Sequence, residues 1–79
     1  KVIILPYEYQ TRKNNCFGDV IIPQTKISNV LNSLKIKYED YTKLFCNSKN
    51  PKTLFYKFDP MHLSKKGHDL VFSKILGEI

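Results

Sequence analysis

The chain opens on an uninterrupted aliphatic run, residues 2–5, which ends at Pro6. Four apolar residues in a row without a polar position are typical of a strand covered on both faces, as in a parallel sheet. The sequence has 79 residues, which allows one small domain at most. Because it lacks an initiator methionine and starts directly inside this run, we expect it to be a piece of a longer protein.

A helix and a second strand are predicted next. The helix covers residues 23–34, and Pro23 suits its first turn. Four apolar residues recur there at helical spacing and make one face: Ile27, Val30, Leu31 and Leu34. The alternation of apolar and polar residues at 36–41 predicts a second strand, closer to a sheet edge.

The last part of the chain predicts a short helical turn at residues 42–46, a short extended run at 54–58 and a final helix. Ser64 is a good N-cap for this helix, which ends near Gly77. Gly67 stands on its predicted inner face, where it allows close backbone packing. Strand, helix, strand, loop and helix in this order predict the α/β class.

Charge and hydropathy argue against two kinds of partner. The net charge is +6, yet Arg12 is the only arginine and the lysines are spread along the whole chain. Arginine is the usual residue for bidentate contacts to phosphate and guanine, so a solvated lysine-rich surface explains the charge better than nucleic-acid binding does. No apolar run approaches the ~20 residues needed to cross a bilayer, so no transmembrane segment is expected.

Two cysteines and two histidines are the candidates for a disulfide bridge or for metal ligands. Cys16 and Cys46 lie thirty positions apart, with no Cys-x-x-Cys pair, and a disulfide-held secreted domain would carry more cysteines. We therefore expect two unpaired thiols, while a single bridge stays open as the alternative. His62 and His68 are six positions apart, which is not a helical ligand pair, so neither a metal site nor a cofactor is expected.

Asp59 and His62 carry the clearest chemical signal. They lie three positions apart just before the final predicted helix, and Pro60 biases Asp59 away from helical geometry. Such a turn can bring the Asp59 carboxylate to Nδ1 of His62, which fixes the tautomer and leaves Nε2 to take a proton from a nucleophile. On this spacing alone, a turn-capping Asp59 beside an ordinary surface His62 is the simpler explanation.

The wider block Asp-Pro-Met-His-Leu-Ser-Lys-Lys-Gly-His, residues 59–68, with the apolar helix after it, resembles the last conserved block of the SGNH/GDSL hydrolase family. In that family an Asp-x-x-His segment near the end of the chain supplies two members of a catalytic triad. The resemblance implies that His62 is the general base and that Asp59 orients it. It also implies that residues 1–79 are the C-terminal part of a flavodoxin-like, three-layer parallel-sheet domain.

The family's other blocks have no counterpart in this sequence. Its nucleophile belongs to a Gly-Asp-Ser segment, and its oxyanion hole uses a glycine and an asparagine from two further blocks. We therefore assign no nucleophile here and expect the N-terminal remainder of the same domain to supply it. The resemblance implies a parent that cleaves acyl esters of carbohydrates or lipids, or transfers the acyl group to a sugar hydroxyl. The chain alone is predicted to be inactive.

Residues 7–12 follow the first predicted strand, at the end of a parallel sheet where ligands usually bind. Glu8 and Arg12 are therefore candidate substrate-binding residues. The alternative is an exposed loop in which Glu8 and Arg12 only contact each other.

Two functions of other classes stay open. The first is a non-catalytic α/β remnant or interaction module, which an upstream sequence without the serine block would favour. The second is a small basic nucleic-acid-binding domain, for which salt-sensitive binding would be the sign. Because two strands and two helices leave sheet edges and one sheet face uncovered, we also expect the isolated chain to fold poorly or to associate.

Overall fold

Two short parallel strands lie side by side in the computed structural model, which describes residues 1–12, 15–59 and 61–77. Strand β1 is Val2–Ile4 and strand β2 is Tyr38–Asp40, paired in the register Val2↔Tyr38 and Ile4↔Asp40. Helix α1 (Ile22–Ser33) connects them, as a parallel crossover requires. Helices α2 (Thr42–Cys46) and α3 (Lys65–Ile75) follow. The predicted α/β class and the parallel sheet are confirmed at this level.

Three turns of 3-10 helix complete the described chain, at Glu8–Thr11, Gly18–Ile21 and Pro51–Leu54. The prediction of an extended run at residues 54–58 is wrong, because the Pro51–Leu54 turn takes in its first residue. Pro51 stands in the first turn of that helix, where its fixed φ favours helical geometry, and a turn follows after Phe55. Only Phe55 keeps strand-like pairing, as an isolated antiparallel bridge with Leu63.

Helix α1 begins one residue before the predicted start and ends one residue before the predicted end. Leu31 is buried, whereas the other three residues of its predicted apolar face, Ile27, Val30 and Leu34, are exposed. Gln24, which is not part of the predicted apolar face, is buried instead. A large part of the apolar stripe of α1 is thus uncovered by the described residues.

The core lies between α2, the 3-10 turn before Phe55, and α3. Phe45 is completely buried, and its ring centroid lies 5.7 Å from that of Phe55 at an interplanar angle of 54°. Tyr41 and Leu54 complete the buried cluster. Tilted aromatic pairs of this kind add stability beyond the area that they bury.

Cys16 and Cys46 form a disulfide, with their Cα atoms 6.3 Å apart, so the expectation of two unpaired thiols is wrong. The bridge forms because the turn Glu8–Thr11 packs against α2 and carries the segment with Cys16 towards it. Nothing in a spacing of thirty residues reveals such a tertiary contact.

Helix α3 follows its prediction closely at its start. The Ser64 side chain accepts a hydrogen bond from the Gly67 backbone N–H at 3.2 Å, which is the predicted N-cap. Gly67 is buried, and Leu70 and Val71 pack against the core, but Ile75 is exposed. Among the described residues, no helix is long and apolar enough to cross a membrane.

Candidate active site

A narrow loop holds Asp59 and His62 above the core. Its two sides are joined by backbone hydrogen bonds from Tyr56 N to His62 O (3.0 Å) and from Ser64 N to Leu54 O (2.9 Å). The loop therefore leaves the core after Phe55 and returns to it at Leu63, just before the N-cap of α3. This arrangement fixes the separation between Asp59 and His62 on either side of the loop tip.

Asp59 and His62 are hydrogen bonded to each other. Asp59 Oδ2 lies 2.8 Å from His62 Nδ1, and Asp59 Oδ1 accepts the backbone N–H groups of Met61 (3.1 Å) and His62 (3.3 Å). The hydrogen bond from His62, and then that from the Met61 backbone, hold the pKa of Asp59 below its ordinary value. An ionised carboxylate at Nδ1 favours the tautomer that carries its proton there, so Nε2 is the basic nitrogen.

Both side chains of this pair are accessible to solvent, at 74% for His62 and 41% for Asp59. Water therefore screens their attraction, in contrast to a triad whose aspartate is buried. Within the described residues, no hydroxyl group hydrogen bonds to His62. His68 stands apart from the pair, because its Nδ1 contacts the Ser64 carbonyl oxygen one helical turn earlier.

The residue before Asp59 has an unusual backbone. Phe58 has φ of +64°, and the N–H of Asp59 bonds to the Tyr56 carbonyl oxygen at 3.1 Å across the turn. A positive φ at this third position of a turn is ordinarily taken by glycine or asparagine, and costs a bulky residue about 1–2 kcal/mol. The Phe58 side chain is 95% exposed, and the Lys57 ammonium, 5.3 Å from its ring centroid, offsets only part of this cost.

Glu8 and Arg12 form an ion pair on the turn that follows β1. Arg12 Nε lies 2.7 Å from Glu8 Oε2, and Arg12 Nη2 lies 3.3 Å from Glu8 Oε1. The alternative prediction that Glu8 and Arg12 contact each other is confirmed. Glu8 is buried rather than exposed, however, with 8% of its surface accessible to solvent. The hydrogen bond to Glu8 raises the pKa of Arg12, whose guanidinium also lies over the Tyr9 ring at 5.2 Å.

Two buried glutamines fix this turn, and no local sequence pattern predicts the burial of either. Gln10 Nε2 donates to Gln24 Oε1 at 2.9 Å, and Gln24 Nε2 donates to Gln10 Oε1 at 2.7 Å. Gln10 also accepts from the Tyr7 N–H and donates to the Val20 carbonyl oxygen, so its amide is fully engaged. The pair joins the Glu8–Thr11 turn to α1. Hydrophobic periodicity predicts that a glutamine on a helix faces solvent, so the Gln10–Gln24 pair is visible only in the structure.

A cleft of about 540 Å³ brings the candidate residues of both segments together. Glu8, Arg12 and Asp59 all line it. The predicted substrate-binding and catalytic segments are thus neighbours, although they are far apart in sequence. His62 does not line the cleft itself and is reached through Asp59.

One further carboxylate, Asp40, has a structural role at the end of β2. Asp40 caps the turn after β2, because its Oδ1 accepts from both the backbone N–H and the hydroxyl of Thr42. In the part of the chain that the structure describes, no group of three or more His, Cys, Asp or Glu side chains could hold a metal ion.

Comparison of the chain with models of protein families, with curated proteins and with solved structures found no match. The geometry of the cleft and of the Asp59–His62 pair is therefore the basis for a proposed function.

Proposed function

We propose that this chain is the C-terminal part of a flavodoxin-like, SGNH-type serine ester hydrolase and contributes the acid and base of its catalytic triad. The observation that carries the proposal is the 2.8 Å contact from Asp59 Oδ2 to His62 Nδ1, in a loop that leaves Nε2 available. The resemblance of residues 59–68 to the last block of that family supports it. So does the parallel pairing of β1 and β2, which is the sheet type of that fold.

In this mechanism His62 Nε2 takes the proton of a serine hydroxyl, and the serine oxygen attacks the ester carbonyl carbon. The tetrahedral intermediate collapses when His62 returns the proton to the leaving alcohol. Water then repeats the sequence on the acyl-enzyme and releases the acid, or a sugar hydroxyl takes the acyl group instead. Asp59 keeps its negative charge throughout and stabilises the imidazolium that forms.

We place the serine outside residues 1–79. The sequence around each serine of the chain lacks the Gly-Asp-Ser context, and the Ser64 hydroxyl is engaged with Thr53 and Gly67. The exposure of His62 and of the α1 side chains Ile27, Val30 and Leu34 fits a surface that another part of the protein covers. Covering the pair would also strengthen its electrostatics by excluding water.

The test uses the intact gene product that contains this chain. We expect hydrolysis of a p-nitrophenyl acyl ester and labelling of one serine by a fluorophosphonate probe. His62→Ala and Asp59→Asn are expected to lower kcat/KM by at least 10³-fold, since removing a triad member has effects of this size. His68→Ala is the matched control, because that ring lies one turn into α3 and contacts only the backbone.

Hydrolysis that persists in the His62→Ala variant would contradict the proposed role of His62. An intact protein that folds, but shows neither hydrolysis nor probe labelling, would favour the non-catalytic interaction module.

A further inference from the structure

We propose that the cleft beside Asp59 binds a carboxylate-bearing pyranose, so that the substrate is an acyl ester on an acidic sugar. This inference rests on the proposed function for the reaction, but the binding that it describes does not depend on turnover. Cationic side chains, aromatic rings and an amide line the cleft, together with Thr53 and two carboxylates, Glu8 and Asp59, which already have partners. The cations, the rings and the amide each correspond to one chemical feature of such a sugar.

The cationic side is built around Arg12. Glu8, which is buried, holds two of the guanidinium N–H groups, so the orientation of the fork is set before a ligand arrives. The guanidinium has five N–H donors, and its side chain is still 58% exposed at the cleft wall. Glu8 neutralises the charge of Arg12, however, so a net attraction for an anion must come from elsewhere.

Lys52 and Lys57 supply that attraction. Both line the cleft, and among the described residues neither has a carboxylate within 4.0 Å. The remaining carboxylate of the cleft, Asp59, is already engaged with His62. Lys57 Nζ lies over the Phe58 ring, 5.3 Å from its centroid, a contact that leaves the positive charge unneutralised. Two ammonium groups without a carboxylate partner among the described residues, beside a pre-oriented guanidinium, favour a carboxylate on the ligand.

Three aromatic residues line the cleft: Tyr56 and Phe58, which are exposed, and Phe55, which belongs to the buried core. Phe58 is the informative member, because its unfavourable backbone holds an almost fully exposed ring at the edge of the cleft, next to Asp59. Unfavourable backbone conformations of this kind are concentrated at ligand-binding sites. A flat apolar surface beside cations fits the apolar face of a sugar ring that also carries a carboxylate.

The size and the polar rim of the cleft point to a sugar rather than a simple aromatic acid. The volume of about 540 Å³ lies in the range of small-molecule sites and exceeds what one benzoate-sized ring would fill. Asn50 lies on the wall, and no hydrogen bond engages its side-chain amide within the described residues. An amide can both donate to and accept from sugar hydroxyls.

The test measures binding to the intact protein by titration calorimetry, with methyl β-D-glucuronide, methyl β-D-glucoside, benzoate and inorganic phosphate as probes. The glucuronide is expected to bind at least tenfold more tightly than the other three. Lys52→Ala combined with Lys57→Ala is expected to remove about tenfold of this preference, since each exposed ion pair contributes up to roughly fivefold. Lys26→Ala combined with Lys66→Ala removes the same net charge outside the cleft and should leave it unchanged.

Phe58→Ala is expected to weaken the glucuronide and the glucoside alike. Equal affinity for glucuronide and glucoside would overturn the inference, and so would phosphate or benzoate that binds as tightly as the glucuronide. A preference that survives in the Lys52→Ala/Lys57→Ala variant would overturn it as well. None of these results bears on whether His62→Ala abolishes hydrolysis, so the proposed function and this inference fail separately.

Discussion

Gly67 lies against the carbonyl oxygen of Leu54 with no room for a β-carbon between them. A β-carbon built on Gly67 would come well inside 3.0 Å of that oxygen and to 3.1 Å from Leu63 Cβ. The closest obstacle is backbone, which cannot rotate away as a flexible side chain can. This contact therefore joins α3 to both sides of the loop that carries Asp59 and His62.

We expect Gly67→Ala to lower the free energy of unfolding by roughly 1–3 kcal/mol, because overpacking outweighs the gain of about 1 kcal/mol in helix propensity. Urea denaturation measures the change. Lys66→Ala is the control on the same helix, since the Lys66 side chain is exposed and its replacement should change stability little. A Gly67→Ala protein as stable as the parent would show that the helix and the loop do not meet as described.

The disulfide between Cys16 and Cys46 closes a loop of thirty residues. On the chain-entropy account, loss of this bridge in a Cys16→Ser/Cys46→Ser variant lowers the free energy of unfolding by about 3–4 kcal/mol. Urea denaturation with and without reductant measures the effect, and the double variant should not respond to reductant. Two free thiols, titrated in the folded protein without reductant, would contradict the bridge.

The elements that follow from local patterns could be predicted from the sequence. The aliphatic run before Pro6 gave a strand, and Ser64 gave the N-cap of α3, because each depends on a few neighbouring residues. The contact between Asp59 and His62 could also be predicted, because the two residues are only three positions apart and a proline follows Asp59 in the sequence. Their catalytic role stays a prediction.

Features that depend on tertiary contacts could not be predicted in this way. The disulfide and the Gln10–Gln24 pair join segments that approach only after folding, and neither leaves a periodic signal. The burial of Glu8 is of the same kind, because it depends on where α2 and the Pro51–Leu54 turn pack. These contacts nevertheless shape the cleft. The sequence therefore predicted the two candidate segments, residues 7–12 and the Asp59–His62 loop, but not that they lie side by side.

The positive φ of Phe58 can be tested by its effect on stability. We expect Phe58→Gly to raise the free energy of unfolding by about 1 kcal/mol, because glycine adopts a positive φ without the cost that phenylalanine has there. Phe58→Ala keeps that backbone cost and loses an exposed ring with its Lys57 contact, so it should be neutral to slightly destabilising and serves as the control. Urea denaturation compares the three proteins. If Phe58→Gly and Phe58→Ala were equally stable, the turn would not be strained.

The Asp59–His62 hydrogen bond predicts a pH dependence with a definite sign. The pKa of Asp59 in the folded protein lies below its ordinary value of 3.8, chiefly because His62 donates a hydrogen bond to its carboxylate. The folded state therefore favours the ionised form. The stability that this provides is complete above the ordinary aspartate pKa and is lost as the pH falls through the depressed one.

Carboxyl carbon NMR shifts of Asp59, followed from pH 7 into acid, measure this titration directly. We expect His62→Ala to move the midpoint back towards the ordinary value but not fully, because the backbone N–H of Met61 still donates to Asp59 Oδ1. His68→Ala should leave it unchanged. A midpoint in the parent protein that already equals the ordinary value would mean that His62 does not hold Asp59 in solution, and the orienting role proposed for Asp59 would lose its physical basis.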